Sequence, residues 1–409
     1  MSNKRMVPEV RFKGFEQSWN KSKIKDCISK GASGNTPNTK NKTFYEGNIP
    51  FLNISDITSN SCLIYDTEKH ITYEAVNSCT WIVPKNSISL AMYASVGKVC
   101  MLMNDMATSQ AMFNMIFKEN HSPYFMLQNF ELTNNNDKWC ELISTGTQPN
   151  LNAEKIQNFE LHYPTYQEQY KIGEFFKNID NLITQTNNKL DKLKDVKKSL
   201  LNKMFPIEGK HVPEIRFKGF DDNWKKDNIK NLFLSLKTGL SFSQNIYDYR
   251  KYIIMDMGSV DTSGQIIDTK KTNLSRDILL KGDLIMPKDD IGGGLIIGKT
   301  THIPENNKYV LGDHVYLLRS KQINSLFAHH YIHSSTFNES IKTQTTGTAQ
   351  IGLRKEVVEN EKILFSTNIP EQSKIAEFLT AVDKLITLTN KKLTKLKEIK
   401  KALLQKMFV

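Results

Sequence analysis

The sequence contains one long segment twice. Residues 168–205 and residues 371–408 align without a gap and are identical at more than half of their positions. In both copies, apolar residues recur every three or four positions, which places them along one stripe of an α-helix, as in a coiled-coil seam. At about 1.5 Å per residue, each helix would extend for roughly 55 Å. Such a stripe requires an equally long partner, so we predict an intramolecular antiparallel helix pair that acts as a rigid spacer.

The stripe defines the residues that we expect at the coiled-coil seam or at a subunit interface. They are Ile172, Phe175, Ile179, Leu182, Leu190, Leu193 and Leu200 in the first copy, and Ile375, Phe378, Val382, Leu385, Leu393, Leu396 and Leu403 in the second. Many lysines lie between them, Lys197 and Lys400 included. Such lysines could contact phosphates, but a solvent-exposed face of the coiled coil is the simpler interpretation.

The repeat extends beyond the helix. Residues 7–28 recur at residues 212–233, and both copies contain Arg-Phe-Lys-Gly-Phe, so we call them the first and second RFKGF segments. The blocks that follow these segments have diverged. We therefore predict two α+β domains separated by a pair of long antiparallel coiled-coil helices, with an internal pseudo-two-fold repeat. The predicted boundaries are 1–165 for the first domain, 166–205 for the first long helix, 206–211 for a linker, 212–368 for the second domain and 369–409 for the second long helix.

Within the diverged blocks, a few short landmarks recur in the same order. Val83-Pro84-Lys85 matches Met286-Pro287-Lys288, Val96-Gly97-Lys98 matches Ile297-Gly298-Lys299, and Thr145-Gly146-Thr147 matches Thr346-Gly347-Thr348. Apolar, β-branched runs bounded by turn residues predict strands at IPFLNI, TWIVP, SISLAMY, KYIIMDM, DLIMP and GLIIGKT. One further helix is expected in each block, near residues 123–130 and 325–336.

Composition narrows the class of protein. A net charge of +12 and a pI near 9.2 suit a polyanionic partner. We find no apolar run long enough for a transmembrane helix and no signal peptide, so no membrane association is expected. The five cysteines lie in the first half without a close pair. They predict free thiols in a reducing cytoplasm, and no disulfide framework or structural zinc.

Two motifs invite a catalytic interpretation, and neither supports it. Residues 293–300 match the P-loop pattern, but the loop interior resembles a strand and no helix is expected after Lys299. His329, His330 and His333 have helical spacing but lack a further metal ligand, which favours a partly exposed amphipathic helix. The sequence also lacks the motifs of serine hydrolases and adenine methyltransferases. It predicts no catalytic residue, no metal site and no cofactor bound by this chain.

Polar, flexible stretches in the diverged blocks are better candidates for a ligand site. Their Asn, Gln, Ser, Thr and Lys side chains can form hydrogen bonds with phosphates and base edges, although such stretches are also ordinary turns. The candidate DNA-binding residues are Asn35, Thr36, Lys40, Lys98, Thr147 and Gln148 in the first half, and Lys237, Ser241, Lys288, Lys299, Thr348 and Gln350 in the second.

The whole layout resembles the specificity (S) subunit of type I restriction–modification systems. The two RFKGF segments and the helix openings Tyr-Gln-Glu-Gln at 166–169 and Ile-Pro-Glu-Gln at 369–372 carry this resemblance. The stretch that begins at Gly34-Asn-Thr-Pro37 is similar to the start of a target-recognition domain of that family. The second block departs from this pattern.

The resemblance implies a non-catalytic subunit that recognises a bipartite, asymmetric target in double-stranded DNA. Each α+β domain would be a target-recognition domain, and the helix pair would set the unspecified gap. The implied partners are two methyltransferase subunits and the restriction/translocase subunits, which would carry S-adenosylmethionine, ATP and magnesium. Two alternatives stay open at this point: a nuclease or methyltransferase that acts alone, and a coiled-coil scaffold without sequence-specific DNA binding.

Overall fold

The chain folds into two compact units. The structure is a computed structural model that describes residues 6–59, 62–143, 151–207, 209–242, 251–267, 270–291, 293–347 and 351–409. The first unit comprises residues 1–188 and 391–409, and the second comprises residues 189–390. Each unit therefore contains the beginning of one long helix and the end of the other.

The first unit mixes short strands with helices of very different lengths. Its strands are β1 (Asn20–Lys23), β2 (Ile28–Ser33), β3 (Ile49–Leu52), β4 (Leu63–Ile64), β5 (His70–Ile71), β6 (Ile88–Ala91), β7 (Val99–Leu102), β8 (Ala107–Thr108), β9 (Met112–Phe117) and β10 (Glu160–Tyr163). Its helices are α1 (Ile24–Cys27), α2 (Ile54–Ser59), α3 (Tyr73–Cys79), α4 (Pro123–Asn135), α5 (Ala153–Asn158) and the start of α6 (Tyr166–Lys203).

A five-stranded sheet forms the centre of the first unit, in the order β2-β9-β6-β7-β4. Its neighbours are antiparallel except β4 and β7. A smaller sheet, β5-β3-β8, and the ribbon β1-β10 complete the β-structure. The helix α4 packs on the sheet through its buried Phe125, Met126, Leu127 and Phe130. The side chain of Ser122 caps this helix by accepting a hydrogen bond from Phe125 N.

The second unit repeats this plan with different lengths. Its strands are β11 (Lys225–Asn228), β12 (Tyr252–Met255), β13 (Lys271–Thr272), β14 (Leu284–Pro287), β15 (Asp289–Asp290), β16 (Thr301–His302), β17 (Tyr309–Leu311), β18 (Val315–Leu318), β19 (Ile351–Gly352) and β20 (Lys362–Phe365). Its helices are α7 (Ile229–Leu232), α8 (Ser325–Ile332), α9 (Ser335–Thr343), α10 (Lys355–Asn360) and the start of α11 (Ile369–Met407).

The sheets of the second unit follow the same order of pairing. The strand β14 lies between β16 and β18, and β12 lies between β13 and β17. Ribbons β15-β19 and β11-β20 accompany them. Single bridges join Phe233 to Ser320 and Lys237 to Leu317, so this segment lies beside β18 as β2 lies beside β9. The predicted α+β class is confirmed in both units.

Each long helix is anchored to its RFKGF segment by the same buried ion pair. The guanidinium group of Arg11 donates two hydrogen bonds to the Glu168 carboxylate, at 2.6 and 2.7 Å. Arg216 and Glu371 repeat this pair at 2.7 and 2.9 Å, and both glutamates are fully buried. A bidentate pair of this kind has one geometry. It therefore fixes the RFKGF segment against the first turn of the long helix.

The next residue of each helix anchors the diverged block. The side-chain oxygen of Gln169 accepts a hydrogen bond from Ser122 N at 3.1 Å. Gln372 accepts one from Asn324 N at 2.7 Å. Ser122 and Asn324 are the N-cap residues of α4 and α8. The repeated Glu-Gln pair thus ties RFKGF segment, block and long helix together in each unit.

The two helix segments of the first unit run antiparallel. Lys400 of α11 forms an ion pair with Asp180 of α6 at 2.7 Å. Phe408, just after α11, packs on Phe176 with ring centroids 5.9 Å apart. The first RFKGF segment joins this core because Trp19 contacts Phe408 at 5.8 Å. The C-terminus of the second long helix is therefore part of the first unit's core.

The second unit has the corresponding arrangement. Lys197 of α6 forms an ion pair with Asp383 of α11 at 2.5 Å. Phe205, just after α6, shares a core cluster with Ile375 near the start of α11. Trp224 of the second RFKGF segment contacts Phe205 at 6.2 Å. The predicted antiparallel pairing of long helices is thus observed within each unit.

The apolar stripe of the long helices is only partly buried. Buried are Ile172, Ile179, Leu190, Ile375, Val382 and Leu393; half-buried are Phe175, Leu193, Leu200, Leu396 and Leu403. Leu182, Phe378 and Leu385 are 45%, 42% and 49% exposed. A single buried seam is therefore the wrong interpretation for these three residues. A helix pair packed beside an α+β block covers only one side of so broad a stripe.

Most of the predicted strands and both predicted helices are confirmed. Strands occupy IPFL, ISLA, YIIM and LIMP, and helices begin at Pro123 and Ser325. TWIVP and GLIIGKT are not strands. In TWIVP only Val83 forms a bridge, since the following Pro84 has no N–H to donate. In the other run, Gly294 and Gly298 have φ angles of 79° and 69°, which turn the chain.

The structure also shows the state of the cysteines and the polarity of the helices. All five cysteines are free thiols in the structure, as predicted. Over the described part of the chain, each helix is too short or too polar to cross a lipid bilayer.

Candidate nucleic-acid interface

Several loops leave the central sheet of the first unit at one edge. The strands β2 and β6 end where β9 and β7 begin, because Ser33 is opposite Phe113 and Ala91 is opposite Met112. We define the first loop edge as residues 34–40, 92–98 and 109–111. Loops at the ends of adjacent strands form a rigidly supported surface, which is where binding residues commonly lie.

Backbone hydrogen bonds tie these loops together. Gly34 N donates to Met112 O at 3.3 Å, and Met92 N donates to Ala111 O at 2.8 Å. Leu151 N donates to Met92 O at 3.0 Å, which brings the segment before α5 to the same edge. These main-chain contacts hold the loops of the edge in place.

The side chains of the first loop edge are polar and close to one another. The hydroxyl of Thr36 donates to the side-chain oxygen of Gln110. Asn35 is exposed, and its side-chain oxygen accepts from Thr36 N at 2.9 Å. A Cβ on Gly34 would lie 1.9 Å from Thr108 O, so only glycine allows the chain to turn here. Amide and hydroxyl groups held in this way can form hydrogen bonds with base edges.

The second unit has a corresponding edge. The strand β14 ends where β18 begins, with Pro287 opposite Val315. Lys288 N donates to His314 O at 3.0 Å, and Leu353 N donates to Lys288 O at 2.7 Å. We define the second loop edge as residues 238–241, 288–291, 293–299 and 312–314.

The two edges are equivalent in their backbone bonding. Lys288 makes the hydrogen bonds that Met92 makes in the first unit, one through its N–H and one through its carbonyl oxygen. The predicted match of Val83-Pro84-Lys85 with Met286-Pro287-Lys288 is therefore wrong, because β6, and not the segment before it, occupies the place of β14. Short sequence matches cannot detect the different loop lengths that cause this shift.

The electrostatics of the second edge differ from those of the first. The ring of His314 lies beside the carboxylate of Asp289, with Nδ1 and Oδ2 at 2.6 Å. Burial and the nearby charges of Lys342 and Lys197 lower the pKa of Lys299 to about 8. The second edge therefore combines a polar pair with a half-buried cation.

His329 and His330 of α8 are buried, and His333, the residue directly after the helix, is half-buried. His330 is 1% exposed and His329 is 8% exposed, so the predicted partly exposed helix is wrong. His329 Nδ1 lies 3.0 Å from Thr300 Oγ1, His330 Nε2 lies 3.1 Å from Thr380 Oγ1, and His333 Nε2 lies 2.9 Å from Thr300 O. These hydrogen bonds give each of the three histidine rings a polar partner inside the protein. No cluster of His, Cys, Asp and Glu in the described ranges has the arrangement of a metal site.

Comparison with known families accounts for both halves of the chain. The model of the type I restriction modification DNA specificity domain matches residues 16–195 and again residues 221–398. The chain belongs to the type I DNA specificity family. Each match covers part of one RFKGF segment, one diverged block and most of one long helix, so we refer below to the first and second specificity domains.

Three proteins similar to this chain are specificity subunits of type I restriction enzymes. The chain is 29% identical over 191 residues to the type I restriction enzyme MjaIX specificity subunit of Methanocaldococcus jannaschii, which is 46% of this chain and 44% of that protein. It is 24% identical over 271 residues to the MjaVIII specificity subunit of the same organism, 63% of each chain. A third relative is the HindI specificity subunit of Haemophilus influenzae, 28% identical over 40% of this chain and 36% of that protein. The aligned part thus spans less than two thirds of each relative.

Solved structures share the fold over nearly the full length. The S subunit of a type I restriction–modification system from M. genitalium aligns with a TM-score of 0.69 at 13% identity, over 99% of each chain. A chain from a study of complex assembly and conformational transition of the type I R-M system aligns with a TM-score of 0.52 at 14% identity, over 96% of this chain and 98% of that chain. At these identities the likeness concerns the fold alone.

The predicted DNA-binding residues of the described ranges belong to loops of the two edges, except Lys237, which directly precedes the second loop edge and bridges to Leu317. In the first specificity domain they are Asn35 and Lys40, which are exposed, and Thr36 and Lys98, which are half-buried; in the second they are Lys237 and Ser241, which are exposed, and Lys288 and Lys299, which are half-buried. Thr147, Gln148, Thr348 and Gln350 lie outside the described residues. The role of all twelve residues in binding DNA stays a prediction.

Sequence reasoning missed several residues of the two edges. Gln110 lies two residues before β9, His314 directly precedes β18, and Tyr93 is 42% exposed between β6 and β7. The only signal was a pair of polar residues before an apolar strand, Ser109-Gln110 in the first domain and Asp313-His314 in the second. That signal is recognisable only once the strands β9 and β18 are known to be equivalent.

Proposed function

We propose that this chain is the DNA specificity subunit of a type I restriction–modification complex and that it recognises a bipartite, asymmetric target in double-stranded DNA. The observation that carries the proposal is a pair of equivalent loop edges with different side chains. The first presents Thr36 and Gln110, and the second presents His314 and Asp289. Different arrangements of donors and acceptors recognise different base sequences. The two half-sites should therefore differ.

The predicted division of the chain is part of the proposal. Residues 1–165 and 212–368 act as target-recognition domains, residues 166–205 and 369–409 act as spacer helices, and residues 206–211 act as a linker. The buried pairs Arg11–Glu168 and Arg216–Glu371 support this division, because each holds an RFKGF segment rigidly on a long helix. A rigid connection is what a helix needs in order to set the gap between half-sites.

The exposed apolar residues of the long helices favour a pair of partner subunits. Leu182 and Leu385 occupy equivalent positions and are 45% and 49% exposed, and Val196 and Ile399 are 50% and 41% exposed. Clustered apolar residues on a protein surface commonly mark an interface. Since the stripe occurs twice, we propose that two copies of one methyltransferase subunit bind to it.

Catalysis and cofactors are assigned to the partners in this proposal. The methyltransferase subunits would bind S-adenosylmethionine and methylate adenine at N6, and restriction/translocase subunits would use ATP and magnesium. The present chain would supply recognition and no catalytic residue. Such a complex acts on DNA in the bacterial cytoplasm, in keeping with the chain's positive charge of +12.

The test is genome-wide mapping of N6-methyladenine in cells that express the chain with its neighbouring methyltransferase subunit. We expect a new split motif with two unlike halves, absent from cells without the chain. Exchanging residues 34–40, 92–98 and 109–111 for those of a relative should change only one half of the motif. Deleting four residues from both long helices should change only the gap.

The matched control exchanges an exposed loop away from both edges, residues 304–308, which should leave the motif unchanged. A change in both half-sites after the first exchange would contradict the assignment of one half-site to each domain. Methylation that ignores DNA sequence would instead favour the alternative of a coiled-coil scaffold without sequence-specific DNA binding.

A further inference from the structure

Two equivalent lysines of the long helices have different surroundings. Lys400, in the first unit, is 7% exposed, and its ammonium group contacts two carboxylates, Glu131 at 2.6 Å and Asp180 at 2.7 Å. The Gln128 amide also donates to Asp180, at 3.0 Å. Paired burial of this kind neutralises the cation, as buried charges require. Lys400 is a structural residue.

The second unit lacks one of the two carboxylates. Lys197 contacts Asp383, the counterpart of Asp180, at 2.5 Å. Counting from the N-cap residues of α4 and α8, the counterpart of Glu131 is His333. Burial lowers the pKa of His333 to about 3, so its ring is neutral near pH 7 and cannot replace the carboxylate as an anion.

Two further lysines increase the positive charge at this place. The backbone of Gly298 lies against Ile341 of α9, since a Cβ on Gly298 would be 2.7 Å from Ile341 Cγ2. This contact brings Lys299 beside the end of α9, where Lys342 is exposed. Within the described residues, neither the Lys299 nor the Lys342 ammonium group has a carboxylate partner within 4 Å. Among the described residues, Asp383 is the one carboxylate within 4 Å of any of these three ammonium groups, and it contacts Lys197.

The excess of positive charge affects Lys299, which is half-buried. Burial, together with the charges of Lys342 and Lys197, lowers the pKa of Lys299 to about 8. Holding a half-buried ammonium group near two others opposes folding, so a purely structural role does not explain it. A phosphate group bound between the three lysines would compensate their charge and form charge-assisted hydrogen bonds.

We propose that Lys197, Lys299 and Lys342 form a phosphate-binding cluster that holds the DNA backbone next to the second half-site. This inference rests on the proposed function. Lys299 ends a loop that begins at Lys288 in the second loop edge, and Thr301 then opens β16 at that same edge. DNA bound at the edge therefore extends its backbone over the cluster. Contacts of this type position the duplex and are independent of base sequence.

The proposal includes an asymmetry between the domains. In the first specificity domain the counterpart of Lys197 is neutralised by Glu131 and Asp180, and Lys98 is the counterpart of Lys299. We therefore assign the backbone contact to the second domain alone. The spacer helix α6 then contributes directly to DNA binding through Lys197, in addition to setting the gap.

The first measurement is proton uptake on DNA binding. The complex with the methyltransferase subunit is titrated calorimetrically with target duplex at pH 8 in buffers of different ionisation enthalpy. A phosphate raises the pKa of Lys299, so wild type should take up about half a proton per complex at a pH equal to the free pKa of about 8. Lys299→Arg should bind with similar affinity but without this uptake, because arginine is always protonated.

The second measurement is the salt dependence of affinity. Lys299→Met should weaken binding about 3- to 10-fold for every sequence and lower the slope of log K against log salt by about 0.9, the value for one phosphate contact. The recognised motif should not change. The matched control is Lys321→Met, an exposed lysine after the far end of β18, which should alter neither quantity. Lys299→Met should also unfold at an equal or higher temperature, which excludes misfolding as the cause.

Three other outcomes would contradict the phosphate-binding cluster, its assignment to DNA or the proposed function. Unchanged affinity, slope and proton uptake in both Lys299→Met and Lys342→Met would overturn the cluster while leaving the proposed function intact. Stabilisation of wild type by millimolar inorganic phosphate, lost in Lys299→Met without any effect on DNA binding, would overturn the assignment to DNA in favour of the free ion. Wild-type complex without sequence-specific methylation would contradict the proposed function itself.

Discussion

Acid should unfold the second unit before the first. Burial lowers the pKa of four histidines there, to about 4 for His302, to about 3 for His333, and well below the usual value for His329 and His330. The surrounding cations, Lys197 among them, add to the effect by repulsion. In the first unit, the positions equivalent to His330 and His333 hold glutamine and glutamate. Burial lowers the pKa of His121 and His162 there, so the first unit has two such histidines where the second has four.

The direction of the pH effect on stability follows from comparing proton binding by the folded and the unfolded chain. An unfolded histidine has a pKa of about 6.5 and takes up a proton below that pH, whereas the buried histidine stays neutral. The stability present above pH 6.5 is therefore lost as the pH falls toward the folded-state pKa. At pH 5 the loss is about 2 kcal/mol for each fully buried histidine, since one pKa unit corresponds to about 1.4 kcal/mol.

The expected loss of stability at pH 5 is large relative to the total stability of a domain. His302 and His333, with folded-state pKa values of about 4 and about 3, should together remove about 4 kcal/mol at pH 5, and the lowered pKa of His329 and of His330 acts in the same direction. A domain has a total free energy of unfolding of about 5–15 kcal/mol. The contribution of Asp383, 3.9 Å from His330 Nδ1, reduces the loss if the ring becomes protonated. The second unit should therefore unfold at a clearly lower urea concentration at pH 5 than at pH 7.

The assay uses the four tryptophans, of which Trp224 alone belongs to the second unit. In protein labelled with 5-fluorotryptophan, the ¹⁹F signal of Trp224 reports the second unit during urea titrations at pH 7 and pH 5. His330→Gln, which introduces the residue of the first unit, should recover part of the stability lost at pH 5. His70→Gln, on the surface of the first unit, is the control. Equal shifts of all four signals between the two pH values would refute the reasoning from burial.

Three further predictions concern anchoring, the first loop edge and the partner surface. Glu371→Ala leaves Arg216 buried without its carboxylate and should lower the free energy of unfolding by about 3–5 kcal/mol in urea titrations. Gly34→Ala would put a Cβ 1.9 Å from Thr108 O, so it should weaken binding of target DNA at least 10-fold in fluorescence anisotropy. Leu385→Asp should prevent co-purification with the methyltransferase subunit without lowering stability, because Leu385 is 49% exposed.

Each of these substitutions has a control or a contradicting outcome. Gly258→Ala adds a Cβ that meets one side-chain atom at 3.4 Å, an ordinary contact, and should leave DNA binding unchanged. Lys384→Asp, at the exposed neighbour of Leu385, should leave co-purification intact. Loss of stability below 1 kcal/mol in Glu371→Ala would contradict the anchoring role of the ion pair. Unchanged co-purification in Leu385→Asp would exclude this stripe as the interface.

The long helices follow from the repeat of apolar and polar residues with little help from tertiary structure. The predicted helix over 168–205 is observed at Tyr166–Lys203, and its counterpart at Ile369–Met407. A spacing of three and four is a property of the helix itself, and Pro206 after the first helix removes a backbone donor. Local rules of this kind are legible in a single sequence.

The strands are less accessible to sequence reasoning. Apolar runs predict β6 and β14, but the segment 294–300 has a similar composition and is a turn. The difference depends on glycines with positive φ and on whether a neighbouring strand is present to accept the hydrogen bonds. Pairing partners lie far away in sequence, so a local pattern cannot identify them.

The order of residues alone shows that the chain has two equivalent halves, each with one RFKGF segment, one diverged α+β block and one long helix. Which side of each helix is buried depends on tertiary packing, which also buries Lys400, His329 and His330 and leaves Lys197 and His333 half-buried. Burial is set by what packs against a residue, and in each unit the second helix segment comes from the other half of the chain. The sequence of an apolar stripe is the same whether the stripe packs in a core or binds a partner subunit.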